Sequence, residues 1–318
     1  MGRRAVPAVA NSRGVGMIRN AGIVGTFVCL AYGTAWVLLG SSVRAGADLS
    51  DPVGSPAAHT ATVAMMFTPV SAALVVAVVI QRRRGRALLT ELGLTGFSTR
   101  RAWRFAGIGI AGAAVLVVGS WGLGLLFGWV ELDPERSVAK GLIIRVTGEQ
   151  PPVPMAALAA LQLLNLPIGM AVTAVAAAGE EIGWRGWLLP RLLPLGTPWA
   201  LIVSGSIWGA WHAPAILLGL NYEQRDLLGV VMMTVACTGA GVLIGWLRLV
   251  SGSLLPCVLA HAALNVFATY RSALFPPFDQ RLVGPLSITG WMIMILLIAV
   301  GAIRVVHAPS RRRDGGEA

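Results

Sequence analysis

Long apolar stretches, separated by short polar segments, run along most of this chain of 318 residues. A helix needs roughly 20 apolar residues to cross the hydrocarbon core of a bilayer, and about eight stretches reach that length. They are, approximately, Ala21–Gly40, Ala61–Ile80, Phe105–Phe127, Met155–Gly179, Trp199–Leu220, Leu227–Leu247, Leu254–Tyr270 and Leu286–Val306. The pattern predicts an all-α fold, a polytopic bundle of about eight transmembrane helices.

Composition supports a single membrane domain. Hydrophobic residues make up 56% of the chain and charged residues only 12%, whereas a soluble domain carries about 25% charged residues. So little charge over this length leaves too little polar surface for a water-soluble fold. We therefore expect one transmembrane domain at 21–306, between basic tails at 1–20 and 307–318.

The net charge of +11 comes from arginines that cluster beside the apolar stretches. Most lie in the two tails, the 81–104 loop, the 180–198 loop and the 248–253 turn. Arginine-rich loops face the cytoplasm, so both tails are predicted to be cytoplasmic, beside the anionic lipid of the bilayer. No basic stretch is interleaved with aromatic residues as in a strand-binding groove, which argues against a nucleic-acid partner.

Two acidic residues and two histidines fall within or at the end of apolar stretches, while the other acidic residues lie in predicted loops or tails. Glu180 and Glu181 end the fourth stretch, and His212 and His261 lie inside the fifth and seventh. An ionisable group at membrane depth costs several kcal/mol unless it faces a polar cavity. These residues are therefore candidates for one functional cluster.

Helical spacing adds polar partners to this cluster. Arg185 follows Glu181 by four residues, which allows an ion pair on one helix face. Asn265 stands one turn after His261. Pro214 is expected to loosen the helix just after the fifth-stretch histidine. Each residue alone has a simpler interpretation, as a structural ion pair or a helix-to-helix hydrogen bond, but their coincidence in one membrane half favours a shared site.

These residue types suit hydrolysis. A glutamate can take a proton from water, and two neutral imidazoles can hold that water or a Zn²⁺ ion. Two histidines and one glutamate form a known catalytic zinc set, so Glu180, His212 and His261 could be metal ligands. A metal-free site with Glu180 as general base fits equally well, and both alternatives stay open. Asn265 could donate a hydrogen bond to the oxyanion.

Three short motifs occur in a fixed order along the chain. Residues 180–186 read Glu-Glu-Ile-Gly-Trp-Arg-Gly, Trp208 precedes His212 by four residues, and His261 precedes Asn265 by four. They resemble the Glu-Glu-x-x-x-Arg, Phe-x-x-x-His and His-x-x-x-Asn motifs of the CAAX protease and bacteriocin-processing family (CPBP, or Abi). Here a tryptophan stands in place of the phenylalanine, which keeps an aromatic wall.

The resemblance implies an intramembrane endopeptidase, with a peptidase-like core at 155–270 reached from the cytoplasmic side. The roles it implies are water activation by Glu180, support by Glu181 and Arg185, ligation by His212 and His261, and oxyanion stabilisation by Asn265. It also implies a peptide or membrane-protein substrate.

The high Gly, Ala, Arg and Trp content resembles a high-GC bacterial chain, which indicates the bacterial inner membrane and argues against prenylated substrates. The alternatives are a non-catalytic scaffold or regulator with the same fold and a transporter with a buried proton relay. A transporter would favour internal repeats, and the Glu-Glu block has no counterpart elsewhere in the chain.

Overall fold

The computed structural model describes residues 9–51, 55–97, 99–222 and 225–306. Within these ranges every regular element is helical and there is no strand, so the predicted all-α fold is confirmed. Residues 1–8 of the predicted N-terminal tail and the whole tail at 307–318 lie outside the described residues.

The elements follow one another with short connections. In chain order the α-helices are α1 (Val9–Arg44), α2 (Pro56–Met65), α3 (Thr68–Val75), α4 (Gly85–Glu91), α5 (Arg100–Leu126), α6 (Val138–Thr147), α7 (Met155–Leu163), α8 (Leu166–Glu181), α9 (Leu189–Leu192), α10 (Thr197–Trp211), α11 (Ala213–Leu217), α12 (Leu227–Ser251), α13 (Leu255–Thr269), α14 (Arg271–Leu274) and α15 (Ile288–Val306). The remaining helical segments are the π-helices Val76–Ile80 and Ile182–Leu188 and the 3₁₀ turns Pro134–Arg136 and Leu193–Leu195.

Six helical segments of the described chain are long and apolar enough to cross a membrane. They are Asn20–Arg44, Pro56–Ile80, Arg100–Leu126, Leu166–Leu195, Thr197–Leu217 and Leu227–Ser251. The seventh and eighth predicted stretches are also helical, as α13 and α15, but α13 has only 15 residues. The multi-pass helical architecture is confirmed, whereas the number eight and the cytoplasmic position of both termini stay predictions.

The fourth predicted span, Met155–Gly179, is wrong in its boundaries. The helix is interrupted between Leu163 and Leu166, and Pro167 lies in the first turn of α8. Proline lacks the N–H that a continuous helix needs and clashes with the preceding turn. Helical structure then continues past Glu181 to Leu195, so most of the loop predicted at 180–198 is membrane-length helix instead. Three of its charged residues, Glu180, Glu181 and Arg185, are buried inside the protein. The fourth, Arg191, is partly buried and pairs with Glu91.

The π-helix Ile182–Leu188 lies at the centre of this long segment and packs directly against neighbouring backbone. A Cβ atom on Gly183 would lie 2.8 Å from Pro69 O, and one on Gly186 would lie 2.3 Å from Leu92 O. Only glycine permits these approaches. π-Helical turns inside α-helices occur frequently at functional sites, and this one carries Arg185 into the interior, where it is 1% exposed.

A second close contact joins α10 to α12. A Cβ atom on Gly209 would lie 2.5 Å from Thr234 Cα, and one on Gly241 would lie 2.7 Å from Gly205 Cα. Small residues four positions apart on each helix permit this approach, as in many membrane helix pairs. The contact borders the site, because the Gly241 Cβ position is also 3.3 Å from Nη2 of Arg185.

Aromatic side chains fix the π-helix against α1 and α10. Phe27 stacks on Trp187 with ring centroids 4.6 Å apart, and Trp184 meets Trp211 edge-on at 5.8 Å. The indole Nε1 of Trp211 donates a hydrogen bond to Thr68 Oγ1 at 3.1 Å. Such aromatic pairs stabilise by about 0.5–1.5 kcal/mol beyond the area they bury, so the segments that carry the polar residues are held rigidly.

Candidate active site

Glu180 lies at the end of α8 with its side chain inside the bundle, where the residue is 2% exposed. Its Oε2 accepts a hydrogen bond of 2.6 Å from Nε1 of Trp208 on α10. Within the described structure, no hydrogen bond reaches its second oxygen, Oε1. A buried carboxylate is costly unless it is hydrogen-bonded, so the indole both stabilises Glu180 and leaves one oxygen available.

Glu181 forms the predicted ion pair with Arg185, with Oε1 and Nη1 2.8 Å apart. The pair is fully enclosed, with the two side chains 0% and 1% exposed. The same Oε1 also lies 2.9 Å from Nδ1 of His261 on α13. Glu181 Oε2 and Arg185 Nη2 are buried with no hydrogen-bond partner among the described residues. Buried polar atoms without a partner are rare in folded proteins, so these two atoms are an unusual feature of the cluster.

Trp208 stands at the centre of the cluster. The guanidinium carbon of Arg185 lies 4.3 Å from the centre of its ring, a cation–π contact. The same ring meets His261 edge-on at 5.2 Å and His212 at 6.0 Å. The sequence placed Trp208 beside His212 but did not reveal its hydrogen bond to Glu180. The available signal was the indole N–H, which usually finds a partner when it is buried.

In both histidines Nδ1 is the ring nitrogen that faces a neighbouring oxygen atom. Nδ1 of His212 lies 3.0 Å from the carbonyl oxygen of Trp208. A carbonyl only accepts hydrogen bonds, so Nδ1 carries the proton and Nε2 of the neutral ring is an acceptor. Nδ1 of His261 faces Glu181 in the same way, so Nε2 of the neutral His261 ring is an acceptor too. The helix is interrupted at His212, as predicted from Pro214. Helix α10 ends just before His212, and α11 begins just after it with Pro214 in its first turn.

Asn265 lies on α13 one turn after His261 and is partly exposed. No hydrogen bond ties its amide to any other residue in the described ranges. The amide is therefore available to a ligand. Its role as an oxyanion donor stays a prediction from the motif.

The predicted zinc ligands do not form a ready metal site. In the described part of the chain, no group of three or more His, Cys, Asp or Glu side chains is arranged to hold a metal ion. One oxygen of Glu180 faces Trp208 and Nδ1 of His261 faces Glu181, so both residues are already partly engaged. Catalysis with Zn²⁺ stays a prediction from the sequence.

Fold and site together define a class: a multi-pass helical membrane protein whose interior holds carboxylates, imidazoles and a guanidinium around one indole ring. Residues 162–267 match the family model of the type II CAAX prenyl endopeptidases, described as Rce1-like. This part of the chain is therefore similar to an Rce1-like domain, which is consistent with the CAAX protease family that its motifs resemble. The comparison with curated proteins found no match, and the comparison with solved structures found none either.

The matched range contains every predicted site residue, from Glu180 to Asn265, and lies entirely within the predicted core at 155–270. Helices α1 to α7 precede it, apart from the last two residues of α7. The match therefore supports a membrane protease domain in the second half of the chain.

Proposed function

We propose that this protein is an intramembrane endopeptidase that hydrolyses a peptide bond near the cytoplasmic face of a bacterial inner membrane. In this proposal Glu180 activates the attacking water. The observation that carries it is the state of the Glu180 carboxylate, which is buried, held through one oxygen by Trp208, and free at the other. A carboxylate fixed in this way is suited to general-base catalysis.

The reaction is a hydrolysis in two steps. Water donates one hydrogen to Oε1 of Glu180 while its oxygen attacks the peptide carbonyl carbon, and the carbonyl electron pair moves onto its oxygen. The tetrahedral intermediate then collapses, the C–N bond breaks, and the proton on Glu180 passes to the leaving nitrogen. The products are a new carboxyl group and a new amine, and Glu180 returns to its starting state.

The remaining residues bind and orient the reactants. The second hydrogen of the water is donated to Nε2 of a histidine, His261 or His212, because each presents that nitrogen as an acceptor. Glu181 and Arg185 are positioning residues that hold the His261 ring through Nδ1. Asn265 donates its amide N–H to the oxyanion of the intermediate. Surrounding helices exclude other water, which strengthens each of these interactions.

The substrate class follows from where the site lies. Helix α8 carries Glu180 at one end and exposes an apolar face, with Ile168, Val172 and Val175 between 63% and 68% exposed. A face of this kind contacts lipid. We therefore propose that a peptide or protein already in the membrane reaches the site from the bilayer, without a requirement for a prenyl group.

The test compares membrane-peptide profiles of cells with and without the protein, then of cells that produce variants. Products should disappear with Glu180→Gln and with His261→Ala, whereas Glu149→Gln in an exposed outer segment should leave them unchanged. Thermal unfolding of each purified variant checks that folding is intact. Products that persist in well-folded Glu180→Gln would refute the proposed role. An absence of any product with the wild type would favour the scaffold alternative.

A chelator separates the two forms of the mechanism. The metal-free form predicts that cleavage by the purified protein continues after treatment with a strong zinc chelator. Loss of cleavage, with recovery on adding Zn²⁺, would favour the zinc form instead.

A further inference from the structure

A basic cavity of about 680 Å³ lies beside the π-helix, separate from the proposed catalytic cluster. Its charged lining residues are the four arginines Arg83, Arg86, Arg191 and Arg248, with Glu91 as the one acidic lining residue. The walls come from the segment around α4, from α9 and from the end of α12. The lining thus carries an excess of three positive charges, four minus one.

The arginines of this cavity are only partly neutralised by the described protein. Arg191 and Arg83 share the single carboxylate of Glu91. No ion pair or hydrogen bond to Arg86 is present in the described ranges. Nε of Arg248 is buried and, within the same ranges, has no hydrogen-bond partner. A buried guanidinium N–H without an acceptor is costly, so an anion bound at this guanidinium would offset part of that cost.

Two of these arginines, Arg191 and Arg248, also pack against neighbouring groups of the protein. The guanidinium of Arg191 lies 3.8 Å from the centre of the Trp187 ring and donates to the Trp187 carbonyl at 2.6 Å. Nη2 of Arg248 lies against the backbone at Gly93, where a Cβ atom would be only 3.2 Å away. Pre-organised guanidinium groups bind anions with less entropy loss, and their planar fork matches the oxygens of phosphate.

The position in the membrane favours a lipid as the source of that phosphate. The lining arginines belong to loops and helix ends that the charge distribution places at the cytoplasmic surface. Lipid phosphates lie at that level, and basic pockets between helices on this side bind anionic headgroups. We propose that this cavity binds the phosphate of an anionic lipid headgroup. It also borders Gly186, the residue after Arg185, so the bound headgroup would pack against the segment that holds the ion pair.

The test measures lipid retained by the purified full-length protein in native mass spectrometry, with phosphatidylglycerol and phosphatidylcholine supplied in equal amounts. The wild type should retain phosphatidylglycerol selectively. Arg86→Gln with Arg248→Gln should weaken that binding roughly 30-fold, about fivefold for each arginine near the surface. Arg84→Gln is the matched control, because it removes the same charge from the same loop outside the cavity lining.

Several outcomes would overturn the assignment. These are equal retention of the two lipids, unchanged retention by the double variant, or an equal loss in the control. Arg86→Gln alone, at an exposed position, gives a second variant in case the double variant unfolds, and it should weaken retention about fivefold. Inorganic phosphate distinguishes the two sources, since binding of phosphate without selective retention of the lipid would assign the cavity to a soluble anion instead.

Discussion

Substitution of Glu181 by glutamine should destabilise this protein strongly, because it removes the carboxylate that forms a buried ion pair with Arg185. The two side chains are 0% and 1% exposed, and their closest atoms are 2.8 Å apart. Glutamine keeps the shape of the side chain but leaves the buried guanidinium without its direct ion-pair partner. Breaking a buried ion pair in this way costs roughly 3–5 kcal/mol. His261 also loses the carboxylate that accepts from its Nδ1.

A double-mutant cycle isolates the ion pair from these other effects. Arg185→Met leaves the buried carboxylate of Glu181 without its guanidinium partner and also removes the contact over the Trp208 ring, worth about 0.5–2 kcal/mol. The double variant Glu181→Gln with Arg185→Met carries neither charge. It should therefore be destabilised by less than the sum of the single variants, with a coupling energy of about 1–3 kcal/mol.

The assay is equilibrium unfolding in mixed detergent micelles, followed by circular dichroism, for the wild type and the three variants. A loss of less than about 1 kcal/mol in Glu181→Gln would refute the reasoning, because that is the size expected of an exposed pair. Strict additivity of the single variants would refute it as well, since groups in direct contact are coupled.

Three further predictions concern helix packing, the candidate site and the segment that carries α6 and α7. Gly209→Ala should lower the melting temperature by several degrees, because the new Cβ would lie 2.5 Å from the α12 backbone. The control Gly112→Ala should not lower it, because nothing lies within 4 Å of that Cβ position. Trp208→Phe keeps an aromatic ring but removes the hydrogen-bond donor to the Glu180 carboxylate, so the free energy of unfolding should fall by about 1–3 kcal/mol; an unchanged value would count against that hydrogen bond. The hydrogen bond from Lys140 holds the pKa of Glu135 below its usual range. A carboxyl whose pKa is lower in the folded state stabilises the fold at pH values above its unfolded-state pKa, and this stability is lost as the pH falls through the folded-state pKa. Hydrogen exchange in α6 and α7, corrected for its intrinsic rate, should therefore increase below about pH 4. Glu135→Gln should remove that dependence, and the same increase in the variant would contradict it.

Apolar stretches predicted most of the helices because the physical rule behind them is simple. A chain in lipid must satisfy its backbone hydrogen bonds internally, so a long apolar stretch becomes a helix. The rule failed after Glu181, where a segment that contains Arg185 and Arg191 was assigned to a loop. Hydropathy counts each charge as solvated, whereas these side chains bind other groups inside the protein.

Spacing within one helix was predictable, but contacts between helices were not. The pair Glu181 and Arg185 follows from the helical repeat alone. The hydrogen bond from Trp208 to Glu180 depends on how α8 and α10 are rotated and how closely they approach, which the linear sequence does not contain. The basic cavity was not predictable for the same reason, because its arginines come from segments more than 150 residues apart, from Arg83 to Arg248.

The most direct test of this account measures cleavage of an identified substrate by purified wild type and Glu180→Gln in water enriched in ¹⁸O. The account predicts that the wild type places ¹⁸O in the new carboxyl group. It also predicts that Glu180→Gln is slower by about 10²–10⁴-fold with an unchanged melting temperature. Cleavage by the folded variant at the wild-type rate would contradict the central claim that Glu180 activates the attacking water.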